Sequence, residues 1–430
     1  MKVCVMGLWH LGCVTAACLA DLGFTVVGLD DDENLIRRLN EGYAPLFEPG
    51  LDELIQKKGL ELRFTSDVQE AISDANFVWI TYDTSVDEND NADVDFVLSK
   101  VKSIFPHFSK NLGVIVSSQL PVRSTRKLQQ AYMDYEKKVG NVAFAYSPEN
   151  LRLGGAINVF MNPDRVVFGA DEIDRAVFAP MLKKISKNIE WMTIESAEMT
   201  KHAINAFLAV SATFANEIAS LCEFVGADAR QVARGMKTEK RIGVKAYVAP
   251  GSAIAGGTLN RDMRFLSGLS QEFSFPAALI HGALDSNERH KTWTITKLKQ
   301  EMHGFESKSI GVLGLAYKPG TDTLRRSLSV ELCKALAAEG ASVKAFDPQI
   351  AKLDDAYAKF INLCLSFDEV FKEIDAVVVS TECPEFKGAL CAEQVKAMRN
   401  KLIVDANGFL SADISACTEK VRYIVFGGIK

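Results

Sequence analysis

The chain has 430 residues, 48% hydrophobic and 24% charged, with 49 Lys and Arg against 55 Asp and Glu for a net charge of −6. This is ordinary globular composition; it excludes disordered and fibrous classes and, at about 150 residues per domain, allows two or three domains. The mildly acidic balance gives no electrostatic reason to expect a nucleic acid or an anionic membrane as partner. Nine cysteines from Cys4 to Cys417 contain no CxxC pair, which argues against a disulfide framework or zinc ribbon and for thiols kept reduced in a cytoplasmic setting.

Met1 to Met6 is an apolar run that meets Gly7 at once, too short for a signal sequence. No uninterrupted apolar stretch reaches the roughly 18 to 20 residues of a membrane span, so a soluble, cytoplasmic protein is expected. Val3 to Met6 reads as a buried strand, Gly7 to Gly12 as a turn and Cys13 to Leu22 as a helix capped by Gly23. Phe24 to Leu29 is the next strand, ending at Asp30. Phe77–Thr81, Gly113–Ser117 and Asn141–Ala145 continue the alternation that builds a parallel sheet. The acidic run from Asp83 to Asp95 reads as a solvated loop.

Glu195 to Val225 contains no turn signal and predicts one long helix, serving as a spine or a dimer interface. A second helical block follows around Phe265 to Met302. The strand–turn–helix pattern then restarts with Ser309–Gly314, Ser327–Glu339 and Val343–Phe346, closing on Asp347, with later strands at Ala376–Ser380 and Leu402–Val404. The expected fold is therefore α/β, with two Rossmann-like doubly wound domains joined by a long central helix and a helical middle domain. The segments are 1–195 for dinucleotide binding, 196–300 for the helical and dimerisation part and 301–430 for the second Rossmann-like domain.

A strand, a glycine turn, a helix and an acid about 20 residues on form the dinucleotide fingerprint in its proper context. Gly7 makes the tight turn, Gly12 permits close helix–strand packing, and the helix N-terminus offers unpaired N–H groups to a pyrophosphate. Asp30 would accept from the adenosine ribose, which favours NAD over NADP. Trp9 stands where the second glycine belongs, so an indole fills the space of the pyrophosphate approach. A turn kept for packing alone is the competing reading. His10 either touches the cofactor or packs against the next loop. The histidines show no metal-ligand spacing, and no metal is expected.

Several segments resemble the UDP-glucose/GDP-mannose (nucleotide-sugar) dehydrogenase family: Pro45 to Leu51, Ser147-Pro148-Glu149, Pro163-Asp164-Arg165 and Ala197 to Lys201 with Asn205. Arg241-Ile242-Gly243 and Lys318 to Asp322 with Arg325 and Ser327 complete the set in the family's order. The resemblance implies oxidation of the C6 alcohol of a nucleotide sugar, a UDP-sugar favoured, to a carboxylate with two NAD. In that family a cysteine captures the aldehyde and the second oxidation leaves a thioester that water hydrolyses. It further implies that Lys201 and Asn205, four apart on one helix face, position the reacting oxygen. Asp262 closes the catalytic loop, although it could also merely cap the following helix. Glu149 is the acid of the Ser-Pro-Glu motif. Leu151, Arg241, Tyr247, Gly251, Gly256 and Lys318 meet the substrate, Arg241 reaching across a homodimer. Leu11, Tyr82, Ser118, Gln119 and Arg325 join the cofactor side.

The departures fall at the chemistry. Aligned without a gap, Gly256 to Asp262 puts Thr258 at the cysteine, Leu153 replaces a second glutamate, and Gln119 and Tyr82 replace threonines. Three outcomes follow from a missing thiolate: an NAD-dependent oxidoreductase with altered chemistry, a redox-inactive nucleotide-sugar-binding regulator, or an epimerase-like enzyme with tightly bound NAD. Lys201 would stabilise a developing alkoxide or act as base.

Overall fold

The computed structural model describes residues 1–84, 92–149, 151, 153–254 and 257–428. They fall into two compact units, Met1–Ile204 and Asn205–Lys430, where the sequence suggested three segments; the helical middle groups with the C-terminal sheet.

The first unit is built on an eight-stranded sheet. Its strands are β1 (Lys2–Met6), β2 (Thr25–Leu29), β3 (Leu62–Thr65), β4 (Phe77–Ile80), β5 (Gly113–Val116), β6 (Ala143–Tyr146), β7 (Val166–Ala170) and β8 (Ile189–Met192). They lie in the order β3-β2-β1-β4-β5-β6-β7-β8, and the β6–β7 pair alone is antiparallel. Strands buried on both faces read as continuous apolar runs, as Phe77–Ile80 and Gly113–Val116 do. One face packs on helix α1 (His10–Asp21), through Val14, Ala17 and Cys18. The other is covered around Val97, Phe105 and Leu128 of a second cluster. Helix α1 begins three residues earlier than the expected Cys13, with Trp9 as its N-cap. Gly23, at φ +80°, takes the left-handed position beyond its end. Helix α2 (Ser124–Met133) and the short α3 (Ala156–Met161) follow β5 and β6.

Helix α4 (Ile194–Val225) is 32 residues long and unbroken, as its lack of turn residues predicts. An 18-residue window of it has a mean hydropathy of 1.3, so by length and composition it could cross a bilayer, which the sequence reading overlooked. Its buried polar residues Asn205, Thr213 and Asn216 are hydrogen-bonded within the second unit, the behaviour of a helix in a globular core.

The second unit adds α5 (Gly257–Glu272), α6 (Ala278–His290) and α7 (Trp293–Met302) where one helical block was expected. Its parallel sheet has the order β11-β10-β9-β12-β13-β14. These are β9 (Ser309–Leu313), β10 (Ser342–Phe346), β11 (Asn362–Leu363), β12 (Ala376–Val379), β13 (Leu402–Asp405) and β14 (Arg422–Ile424). Ser327 caps α8 (Leu328–Ala338) by accepting from the Ser329 amide at 3.1 Å.

Candidate active site

In the first sheet the strand order reverses between β1 and β4, and the crevice outside their carboxyl ends is where such sheets bind ligands. Registers pairing Met6 with Leu29 and with Ile80 bring Gly7, Asp30 and Thr81 to that edge. Gly7 has φ +96°, and a Cβ there would lie 2.7 Å from the Tyr82 amide nitrogen. A Cβ on Gly12 would lie 1.9 Å from the Gly7 carbonyl oxygen, so both glycines are dictated by close approach. The N-terminus of α1 has no side-chain cap and no acid in its first turn, leaving its amides directed outward at the positive end of the helix dipole. Trp9 is half-exposed beside them.

Asp30 is partly committed already. Its Oδ2 accepts from the Leu8 amide at 2.7 Å and its Oδ1 from the Asp32 amide at 3.2 Å. Tyr82 is buried against Phe96 in an edge-on contact. Burial and the neighbouring Asp30 charge push its phenol well above the ordinary range. The Tyr82 hydroxyl and the buried Ser118 hydroxyl have no hydrogen-bond partner among the described residues, and buried hydroxyls of that kind usually await one. Gln119 is half-buried, its carbonyl accepting from Thr84 Oγ1 at 2.7 Å. Residues 85–91 of the expected acidic loop lie outside the described residues.

Two connections below this crevice escaped the sequence reading. Glu48 is 4% exposed. Its Oε2 accepts from Gly154 N at 2.7 Å and bonds His10 Nε2 at 2.8 Å, and its Oε1 accepts from Ala156 N at 2.8 Å. His10 therefore packs against a neighbouring loop, one of the two alternatives. The first turns of α4 secure the segment after Ser118 and Gln119. Glu198 accepts from the Arg123 and Thr125 amides at 2.5 and 2.9 Å, and His202 Nε2 meets the Leu120 carbonyl at 3.0 Å. Burial raises the Glu198 carboxyl above its usual range, against the opposing pull of those amides. Both glutamates stand inside quoted motifs, so a signal existed, but nothing local assigns a distant amide to either.

Lys201 is 6% exposed and its Nζ donates to the Glu149 backbone carbonyl at 2.5 Å. The Glu149 carboxylate instead turns on its own segment, accepting from the Leu151 amide at 2.6 Å. The structure thus joins Lys201 to Glu149 through the main chain and gives the acid a turn-stabilising bond. Leu153 is half-buried.

In the second unit, Asn205 Nδ2 donates to Asp262 Oδ2. Asp262 is fully buried at the sixth position of α5, so the helix-capping alternative is wrong: the helix starts at Gly257 and turns Asp262 inward. Thr258 is exposed in the first turn of α5, and Gly256 lies outside the described residues. The preceding segment is clamped through its backbone. Gly251 N donates to Asn216 Oδ1 at 2.9 Å, His290 Nε2 meets the Gly251 carbonyl at 2.7 Å, and Ser252 N donates to Asn407 Oδ1 at 2.7 Å. A Cβ on Gly251 would lie 2.2 Å from that same Asn407 oxygen. Burial holds the His290 imidazolium below its ordinary pKa, which favours the neutral ring. Lys318 lies over the Tyr317 ring, and Arg325 is exposed in the turn before α8. Arg241 and Tyr247 are exposed, with Arg241 Nε 3.0 Å from Glu239.

Burial pushes Cys4, Cys18, Cys333 and Cys383 up to about 12, and a thiol held protonated is a poor nucleophile. Cys391 is exposed and donates to Gln394 at 2.6 Å. No cluster of His, Cys, Asp or Glu suited to a metal occurs among the described residues.

Comparison with known proteins decides the family. Residues 1–190, 195–289 and 311–412 match, in turn, the NAD binding, central and UDP binding domains of the UDP-glucose/GDP-mannose dehydrogenase family. The chain belongs to that family. It is 32% identical over 426 residues to UDP-glucose 6-dehydrogenase TuaD of Bacillus subtilis, covering 96% of this chain and 90% of that protein. It is 33% identical to the UDP-glucose 6-dehydrogenase of Rhizobium meliloti, covering 96% of each. A solved UDP-glucose dehydrogenase of Pyrobaculum islandicum superposes with a TM-score of 0.87 at 27% identity, over 99% of this chain and 98% of the other. As a member of this dehydrogenase family the chain is an NAD-dependent oxidoreductase. The crevice suits that cofactor: the uncapped α1 N-terminus, the glycine cradle and the Ser118 hydroxyl, which has no partner among the described residues, lie at the carboxyl edge of one sheet.

Proposed function

We propose that this chain oxidises a hydroxyl of a UDP-sugar by a route that does not pass through a cysteine thioester. The observation that carries the reading is the buried Lys201 ammonium, held on the Glu149 carbonyl in a family whose thiol position is Thr258. The matched UDP binding domain and the named relatives favour a UDP-sugar. NAD, when bound, supplies the hydride acceptor. Gly7, Gly12 and the α1 amides would hold its pyrophosphate, Asp30 would take the ribose, and the Ser118 and Tyr82 hydroxyls would supply further donors, with Trp9 beside the turn. As the alcohol becomes a carbonyl, its C–H hydride would pass to the cofactor and its O–H proton to solvent water, while the Lys201 ammonium donates to the oxygen and stabilises its developing charge. In the second unit, Asp262 fixes the Asn205 amide by accepting from it, so that its remaining oxygen and proton face a ligand in one orientation. A threonine hydroxyl, unlike a thiol, does not ionise near neutrality, so the oxidation ends after one hydride or continues only through a hydrated aldehyde.

Phe207, Phe214 and Leu221 recur every seven residues on α4 and are 71%, 47% and 58% exposed. An apolar stripe of this period suits a second copy of the chain, and a homodimer in which Arg241 reaches the neighbouring site is part of this reading.

Incubation with NAD and a panel of UDP-, GDP- and dTDP-sugars tests it. NADH formation with a UDP-sugar, and an aldehyde or hydrated product in the mass spectrum, is expected; no NADH and no sugar turnover across the panel overturns it. Thr258, Leu153 and Trp9 together favour one other reading, a redox-inactive binder. Thermal stabilisation by a UDP-sugar but not by NAD would select that.

A further inference from the structure

Glu48 joins the His10 side chain to the backbone of a segment with a different task. His10 is the first residue of α1, on the cofactor turn; Gly154 and Ala156 lead into α3 from the segment that carries Glu149. An ionised carboxylate only accepts, so His10 Nε2 is the donor of its 2.8 Å bond. The two backbone donors, Gly154 N at 2.7 Å and Ala156 N at 2.8 Å, share the same carboxylate. The Glu48 side chain is buried while His10 is half-buried and Gly154 exposed, so the carboxylate itself has protein donors and not solvent to turn to when one bond lengthens. A shift of His10 is therefore transmitted to the 154–156 backbone.

We propose that His10 and Glu48 are positioning residues that couple occupancy of the cofactor turn to the ordering of residues 154–156. A dinucleotide settling on the α1 N-terminus fixes His10, His10 fixes the Glu48 carboxylate, and the carboxylate fixes the Gly154 and Ala156 amides. That this segment serves the nucleotide sugar rests on the function proposed above; the coupling itself does not, and NADH alone probes it.

Hydrogen exchange of the full chain, with and without saturating NADH and read on peptides spanning 153–161, is the measurement. In the wild type, bound NADH slows exchange of these amides by roughly fivefold or more, the low end of ordinary site–site coupling. His10→Phe, which keeps ring volume and removes the donor, binds NADH by fluorescence titration but loses the slowing. His10→Gln, whose amide nitrogen can reach the same oxygen, restores it. Glu48→Gln, close in volume, also reduces the slowing because its amide group turns a donor toward donors. Bound NADH without slowing in the wild type overturns the coupling. So does full slowing in His10→Phe or Glu48→Gln, and so does a wild type that fails to bind NADH. A chain that shows the coupling yet turns over no sugar in the panel would fail only the reading of function.

Discussion

Replacing Lys201 by Met separates a structural lysine from one that acts on substrate. Met matches the length of the stem and removes the charge and all three donors. The Glu149 carbonyl, now 2.5 Å from Nζ in a buried setting, loses its charge-assisted partner. An unsatisfied buried acceptor costs about 1–3 kcal/mol. For a unit of this size that lowers the melting temperature by roughly 2–12 °C. If Lys201 also stabilises the developing alkoxide, removing it costs a further ~2.7–4 kcal/mol in the transition state, about 100- to 1,000-fold in kcat. Initial rates of NADH formation with the best sugar from the panel, beside thermal unfolding of the same preparations, read the two effects separately. Lys201→Arg should recover most of the stability and little of the rate, since a planar fork cannot occupy the point-charge position of the ammonium. A Lys201→Met protein that melts lower yet keeps kcat within about threefold of wild type would refute the catalytic role, because only the structural cost would then have been seen.

Gly12→Ala would place a methyl 1.9 Å from the Gly7 carbonyl oxygen, so the turn must open. NADH affinity by calorimetric titration should fall about tenfold or more, with about 1–3 kcal/mol of lost stability from overpacking; unchanged affinity would show that the turn does not hold the dinucleotide. Glu198→Gln bears on pH. Because burial raises the Glu198 carboxyl, the folded chain holds that proton more tightly than the unfolded chain, and the ionised group costs stability above the raised pKa. That cost is relieved as pH falls from the raised value toward the usual glutamate range. Acidification through this window should therefore favour wild type over Glu198→Gln in parallel melting curves, and parallel pH dependences would refute it. Thr258→Cys puts a thiol in the first turn of α5, where the helix N-terminus favours the thiolate. With NAD and a UDP-sugar it should form a covalent sugar adduct visible in the intact mass, which the wild type lacks; no adduct would count against position 258 as the site of the nucleophile.

Much of this chain was legible before any coordinates. The glycine turn and its terminal acid fixed β1, the turn and β2 because Gly7 and Gly12 answer purely local demands, a positive φ and a helix pressed against a strand. The long helix was legible from the lack of any breaker over 30 residues, and Gly23 and Ser327 marked helix ends by their own chemistry. The start of α1 was not, because Trp9 and His10 carry no capping signal and no side chain caps the helix there. Asp262 was read as a possible cap for want of the helix boundary: Gly257 starts α5, and a residue five positions on points where the helix turns it.

The sequence alone determined the alternation of strands and helices, the family motifs and the absence of a cysteine at position 258, since each is a property of neighbouring residues or of a single position. Only the tertiary structure decided that the Glu149 carbonyl, not its carboxylate, receives Lys201, that Asp262 binds Asn205, and that Glu48 joins His10 to Gly154 and Ala156. Those pairs lie 38 to 108 residues apart. A buried polar group must find a partner, but which one it finds is set by the way the sheets bring distant loops together.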